Sequence, residues 1–162
     1  MSAENSRFRH GAVALGGTFD ILHAGHEHLL ERAFGLGSLV FVGVTGDRFV
    51  QKLGKTHKVR SYNARVHELQ KFLRSRGWLS RARIVKLTDP FGPATRRKRL
   101  NALVVSQQTR ANARHVNVIR RRRGLPALKI YVVKLVNDEF GRPISATRIR
   151  QGKVDVRGKR VR

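Results

Sequence analysis

The run Gly16-Gly17-Thr18-Phe19-Asp20-Ile21-Leu22-His23-Ala24-Gly25-His26 follows the apolar segment Ala12 to Leu15 and opens the helically spaced segment His26 to Leu36. A buried strand that turns through glycines into a helix is where open α/β sheets bind phosphates. Glycine lets the backbone approach an anion closely, and the helix start offers unpaired N–H groups with a positive partial charge. His23 and His26 stand three residues apart, so in a first helical turn they share one face and point toward the same anion, with Gly25 leaving space between them. His28, two residues beyond His26, faces elsewhere. A zinc site built from these three histidines lacks an evident acidic or thiolate partner, so no metal-ligating residue is assigned.

The same pattern extends along the chain. Leu39 to Val44, Arg83 to Leu87, Ala102 to Ser106 and Lys129 to Leu135 read as further strands, mostly continuous Val, Ile and Leu as in parallel strands covered on both faces. Asn63 to Arg76 and Ala111 to Arg123 have helical spacing; in the first, Val66, Leu69, Phe72 and Leu73 form one apolar face. Turn residues punctuate the pattern at Asp89 to Pro93, Gly124 to Pro126 and Asn137 to Pro143. The alternation predicts an α/β fold, a doubly wound five-stranded parallel sheet.

At 162 residues the chain is expected to form a single domain spanning 1–162, with a polar N-terminal tail 1–10 and a basic C-terminal tail 156–162. The absence of cysteine excludes a disulfide framework, a thiolate metal site and a cysteine nucleophile. No stretch is apolar enough to span a bilayer and the start is polar, so no membrane partner is expected and the cytoplasm is the default location. The abnormal quantity is charge: 35 Lys and Arg against 10 Asp and Glu give +25, of which residues 1–80 carry +6 and residues 81–162 carry +19. Such a field attracts polyanions, and non-specific polyanion binding through the basic second half is expected. The runs Arg96 to Arg99 and Arg120 to Arg123 concentrate it, the second at a helix C-terminus where cations also complement the dipole.

The Gly17-Thr18-Phe19-Asp20 and His23-Ala24-Gly25-His26 elements resemble the signature of the nucleotidyltransferases that share a His-x-Gly-His phosphate site with class I aminoacyl-tRNA synthetases. Ile144-Ser145-Ala146-Thr147-Arg148-Ile149-Arg150 is similar to the C-terminal signature of that superfamily. Within it, the stretches Leu87 to Ala94, Val104 to Thr109, Asn117 to Pro126 and Val59 to Tyr62 with Arg65 resemble the archaeal and eukaryotic type of phosphopantetheine adenylyltransferase, from about Gly11 to Asp155.

The resemblance implies a Rossmann-like nucleotidyltransferase fold and transfer of the adenylyl group from ATP to 4′-phosphopantetheine, giving dephospho-coenzyme A and pyrophosphate in coenzyme A biosynthesis. By the same carry-over His23 and His26 contact the phosphates, with His26 acting on the transition state. Gly17, Thr18 and Phe19 cradle the nucleotide phosphates through their backbone, and the Thr18 hydroxyl reaches the acceptor phosphate. Arg148, with Ser145 and Thr147, holds the departing pyrophosphate, for which a planar guanidinium is suited. A lysine after the second strand is expected to bridge acceptor and α-phosphate; Lys52 is the candidate, with Lys55 and Lys58 as rivals. Mg²⁺ is implied by the ATP chemistry. The sequence departs from the pattern at Gln108, where glutamate is expected, at Ala146 in place of a second serine, and at Ile21 where many members carry proline. The nearest alternative is a nucleotidyltransferase acting on FMN, NMN or glycerol phosphate; the alternative of another class is a basic nucleic-acid-binding protein.

Overall fold

The computed structural model describes residues 7–55 and 58–162. Its strands are β1 (His10–Gly17), β2 (Gly37–Thr45), β3 (Ala82–Leu87), β4 (Ala102–Ser106) and β5 (Lys129–Val133). They form one sheet in the order β3-β2-β1-β4-β5, with every pairing parallel. The helices are α1 (Ala24–Leu36), α2 (Asp47–Lys52), α3 (Tyr62–Ser75), α4 (Arg110–Arg122) and α5 (Ala146–Arg150), with 3₁₀ turns at Leu79–Arg81 and Gly92–Thr95. All five expected strands are present and the order reverses at β1, which is the doubly wound arrangement.

Alternation along β1 explains the two layers. Val13 and Leu15 face the cluster formed with Leu30, Ala33 and Phe34 of α1 and Leu69 and Leu73 of α3, while Ala12 and Ala14 face Ala94, Leu100, Ala113 and Val116. Both faces of the sheet are therefore covered, as continuous apolar strands require. Beyond Ala14 paired with Leu103, β1 and β4 share no further register, yet β1 runs on to Gly17. The carboxyl ends of the two central strands thus part at the point where the strand order reverses, which is where such sheets hold ligands.

Several boundaries differ from expectation. His10 belongs to β1, so the N-terminal tail ends before it, and residues 1–6 of that tail lie outside the described residues. The basic C-terminal tail expected over 156–162 packs on the domain: Arg160 forms a β-bridge with the buried Val154, Gly158 is buried, and Val156 O accepts the N–H of Ala24. β5 ends at Val133, two residues before the expected Leu135. The short helices α2 and α5 fall below the length at which periodicity is visible in a sequence.

Two arginines are also buried completely, Arg65 on α3 and Arg120 on α4. They occupy the inward stripes Arg65-Leu69-Leu73 and Ala113-Val116-Arg120, where spacing alone calls for apolar residues. Arg120, the first residue of the basic run expected at a helix C-terminus, donates inward to the carbonyls of Pro126 (2.8 Å), Ala94 (2.7 Å) and Arg97 (2.9 Å).

Candidate active site

β1 delivers the chain into a sharp turn at its carboxyl end. Phe19 takes a left-handed backbone conformation with φ of 53° and is buried, and a Cβ on Gly17 would approach its ring to 3.2 Å. A residue without a Cβ at position 17 therefore lets the Phe19 ring fold back beneath the turn, and the core contacts of that ring hold a conformation that a bulky residue otherwise avoids.

His23 is the N-cap of α1 rather than a member of its first turn, with His26 at the third helical position. His23 Nδ1 accepts the N–H of Gly25 at 3.1 Å, and His26 Nδ1 accepts the N–H of His23 at 3.4 Å. This is a reciprocal capping box made of two histidines. Their rings stack with centroids 3.9 Å apart, and a Cβ on Gly25 would come within 2.9 Å of the His23 ring, so glycine makes the stack possible. Burial pushes the His23 pKa down to about 4. Burial and then the neighbouring charge of His23 push that of His26 down to about 3, against a weaker opposing hydrogen bond to the Ile21 backbone. Both rings are thus neutral at pH 7. Because each Nδ1 accepts a backbone N–H, the proton of each ring resides on Nε2, which makes each a hydrogen-bond donor.

The two signatures meet at Asp20. This buried carboxylate accepts Arg150 Nε (3.1 Å) and Nη2 (2.7 Å) through Oδ2, and the Arg60 N–H (3.0 Å) through Oδ1. Burial alone would raise its pKa; the hydrogen bonds from Arg60 and Arg150 outweigh that and hold it below the usual carboxylate range.

Arg148 donates from Nε (2.9 Å) and Nη2 (2.6 Å) to Oδ2 of Asp138, leaving Nη1 outside the ion pair. Asp138 also accepts the N–H groups of Phe140 (2.9 Å) and Arg142 (3.0 Å), and these bonds, with the Arg148 charge, keep its carboxyl ionised despite burial. Ser145 caps α5 by accepting the Arg148 N–H at 3.3 Å, which ties its hydroxyl to the backbone. Thr147 lies on α5, one residue before Arg148.

Lys52 ends α2 and is exposed. It is Lys55, three residues on, whose Nζ reaches Thr18 Oγ1 at 3.3 Å, and Lys58 has no such contact among the hydrogen bonds of the described residues. Partial burial and the charge of Arg65 lower the Lys55 pKa, while Asp20 opposes them. The sequence offers Lys52 first as a lysine following the second strand, with Lys55 and Lys58 as rivals; α2 spans residues 47–52 and Lys55 follows it by three residues.

Arg65 ties these parts together. Its guanidinium donates to Thr18 O (2.8 Å), Thr45 Oγ1 (3.4 Å), Asp47 Oδ1 (3.0 Å) and Arg60 O (2.9 Å). The carbonyl on one side of the Phe19 turn is thereby fixed to the end of β2 and the start of α2. Sequence reading matched Arg65 to a family pattern but assigned it no place; the available signal was a charged residue on an otherwise apolar helical stripe.

Thr18 also opens onto a cavity of about 320 Å³ lined by residues of the sheet's Ala14 face, such as Phe41 and Leu103, and by Leu29 of α1. Its walls are mostly apolar, among them Phe41, Phe49, Leu87, Phe91 and Val116, with Ser106, Thr109 and Asn112 as polar groups and Arg97 as the one charged lining residue. Leu87 closes the floor: Cβ atoms on Gly16 and Gly43 would approach it to 3.1 and 2.8 Å.

A glycine turn into a histidine-capped helix stands at the point of strand-order reversal, joined to a second, arginine-bearing signature, and these form the candidate site. The family model of the cytidylyltransferase-like proteins matches residues 14–152, and the chain belongs to that family of nucleotidyltransferases. Among curated relatives, the chain is 39% identical over 157 residues to the phosphopantetheine adenylyltransferase of Methanothermobacter thermautotrophicus, covering 95% of this chain and 93% of the relative. It is 43% identical over 150 residues to the protein of that name from Methanopyrus kandleri, covering 93% of each. A solved structure of an Archaeoglobus fulgidus protein of unknown function is similar with a TM-score of 0.68 and 32% identity, covering 75% of this chain and 88% of that one. A lipopolysaccharide core biosynthesis protein from Thermoplasma volcanium shares the fold, with a TM-score of 0.61, 22% identity, and coverage of 76% and 95%.

Proposed function

We propose that the protein transfers the adenylyl group of ATP to 4′-phosphopantetheine, forming dephospho-coenzyme A and pyrophosphate in coenzyme A biosynthesis. The observation that carries this reading is the continuity of the Thr18–Lys55 pair with the apolar cavity. An acceptor with a phosphate at one end and an extended, largely aliphatic arm at the other is matched by polar groups at one end of a pocket and apolar walls along it. Ser106, Thr109 and Asn112 offer hydrogen bonds to the amides of that arm. Relatives bearing this activity in their names, 34–43% identical over most of the chain, support the same acceptor.

The chemistry follows from the groups present. An oxygen of the acceptor phosphate attacks the α-phosphorus of ATP, forming a new P–O bond, while the bond from that phosphorus to the β-phosphate oxygen breaks and pyrophosphate leaves with the electron pair. The attacking oxygen is already anionic near neutral pH, so no general base is needed and the protein's work is positioning and charge stabilisation. Thr18 and Lys55 hold the acceptor phosphate. The Nε2–H groups of His23 and His26 donate to α-phosphate oxygens as charge builds there, and neutral donors do so without the cost of a buried charge before substrate arrives. Arg148, steadied by Asp138, directs its remaining nitrogen to the departing pyrophosphate with Ser145 and Thr147 beside it.

Nucleotidyltransferases of this kind use ATP and usually a divalent metal. Among the described residues no group of three or more His, Cys, Asp or Glu side chains forms a metal cage, and Asp20 and Asp138 are each engaged by an arginine. Mg²⁺ therefore fits as an ion carried on the triphosphate rather than on the protein. No helix among the described residues is long and apolar enough to cross a membrane, and the proposed reaction draws on cytoplasmic ATP.

The test is a matrix of ATP or CTP against 4′-phosphopantetheine, FMN, NMN and glycerol phosphate, with product mass as the readout. Turnover with ATP and 4′-phosphopantetheine at least 100-fold above every other combination is expected. Faster turnover of another acceptor would reassign the cavity.

A further inference from the structure

The second half of the chain contains no carboxylate from Pro90 to Asn137, a stretch of 48 residues holding 12 Lys and Arg. Folding then brings its two densest runs together. Buried Arg120 donates to the carbonyls of Ala94 (2.7 Å) and Arg97 (2.9 Å), and Arg123 donates to Thr95 Oγ1 (3.1 Å) and O (3.4 Å). The loop Arg96-Arg97-Lys98-Arg99 is thereby laced to the end of α4, where Arg121, Arg122 and Arg123 stand. All seven of these side chains are exposed, and none forms an ion pair among the described residues.

The arrangement runs against fold stability taken alone. Seven like charges repel, and among the described residues the lacing residue Arg120 is itself a buried cation with no carboxylate partner, its Nη2 buried without a hydrogen bond. The helix C-terminus compensates about half an elementary charge, far short of the total. A local conflict of this kind marks a surface whose counter-charge comes from outside.

The composition of the patch indicates the chemistry of that partner. Six of the seven cations are arginines, whose planar forks each grip two phosphate oxygens, and no exposed aromatic side chain accompanies them for base stacking. Phe41, half-buried, lies under the Arg97 guanidinium at 4.2 Å, and Phe91 is turned onto His115 with ring centroids 4.8 Å apart. We propose that the patch formed by Arg96–Arg99 and Arg121–Arg123 is a docking surface for the phosphodiester backbone of a nucleic-acid duplex, read by charge and spacing rather than by base sequence. Arg97 also lines the cavity proposed for the acceptor, so the patch adjoins that cavity.

The experiment compares binding of labelled 20-base-pair RNA and DNA duplexes of two unrelated sequences, from 50 to 300 mM salt, to the full-length protein and two charge-matched variants. The patch variant carries Lys98→Glu, Arg99→Glu, Arg121→Glu and Arg122→Glu; the control carries Lys153→Glu, Lys159→Glu, Arg160→Glu and Arg162→Glu. The wild type is expected to bind all sequences within about threefold of one another, with a log–log salt slope of about −4 to −6, near −0.9 per phosphate neutralised. The patch variant should lose at least 30-fold at 50 mM salt and flatten the slope by about 3, the control less than fivefold. Both variants should keep turnover of 4′-phosphopantetheine within twofold, which separates loss of the surface from loss of the fold. Preference for RNA or for DNA assigns the duplex type. No duplex binding by the wild type at 50 mM salt, or equal weakening in both variants, overturns the proposal, the latter because the charge then acts diffusely.

Discussion

Asp20 and Arg150 are joined by two hydrogen bonds of 3.1 and 2.7 Å across 130 residues of sequence, and that pair ties the N-terminal glycine turn to the C-terminal signature. Asp20 is buried and Arg150 is about one-third exposed, so removing the carboxylate charge leaves an arginine facing a neutral amide in a partly closed setting. Asp20→Asn should cost about 3 kcal/mol of stability. It should also lower kcat/KM more than tenfold in protein that remains folded. Thermal unfolding and steady-state kinetics on Asp20→Asn, Arg150→Gln and the double variant check this; additive losses would show that the pair does not couple the two signatures.

The lysine assignment separates sharply. Lys55→Ala should reduce kcat/KM for 4′-phosphopantetheine by at least 100-fold, because Lys55 alone of the three candidates reaches Thr18, while Lys52→Ala and Lys58→Ala should stay within threefold of wild type. Comparable losses at Lys52 would return the role to the residue that the sequence ranked first.

Arg65 holds Thr18 by its carbonyl while Lys55 holds it by its hydroxyl. Arg65→Met keeps the volume and removes every donor, so the turn should loosen at its acceptor side: KM for 4′-phosphopantetheine should rise at least tenfold with KM for ATP changing less than threefold. Arg65→Lys should recover part of that loss. If Arg65→Met does not fold, Asp47→Ala removes one arm of the same network from a half-exposed side chain and should raise the acceptor KM severalfold. Equal effects on both substrates would indicate a purely structural residue.

Acid stability should carry the imprint of the two histidines. Their folded pKa values, about 4 for His23 and about 3 for His26, lie below the unfolded value of 6.5, so the unfolded state binds more protons as pH falls through 6.5. Stability is therefore complete above pH 6.5 and declines from about 6.5 to about 4 for His23 and to about 3 for His26, with a slope approaching about 1.4 kcal/mol per pH unit for each histidine. The lowered pKa values of Asp20 and Asp138 act in a different window, contributing stability present above pH 3.8 that is lost below it. Denaturant titrations at pH 4.5, 5.5 and 7.5 on wild type and His23→Gln should show the slope reduced in the variant; identical slopes would contradict burial of neutral imidazoles.

Five strands and both signatures were legible in the sequence because each is local: a continuous apolar run, a glycine turn, a histidine pair. The fold that these predict is the fold observed, with Val13 and Leu15 directed to one layer and Ala12 and Ala14 to the other. What the sequence could not display was partnership across distance. Nothing near Asp138 in the chain announces that it will receive Arg148, and nothing near Arg65 announces Thr18. The short helix α2 separates the exposed Lys52 at its end from Lys55, which reaches Thr18, and helices of that length leave no periodic trace. The C-terminal segment read as a tail because its sequence is basic, whereas Val154, fully buried, anchors it through contacts that composition does not record.

The most direct test of the central claim is pyrophosphate release by the purified protein with ATP, Mg²⁺ and 4′-phosphopantetheine, set beside the His26→Ala variant and with dephospho-coenzyme A confirmed by mass. Stoichiometric pyrophosphate and dephospho-coenzyme A from the wild type, falling at least 100-fold in kcat while the ATP dissociation constant changes less than fivefold in the variant, is the result expected if His26 acts on the transition state. Wild-type protein that binds ATP but releases no pyrophosphate with this acceptor, or a variant that loses ATP binding and turnover in equal measure, would contradict it.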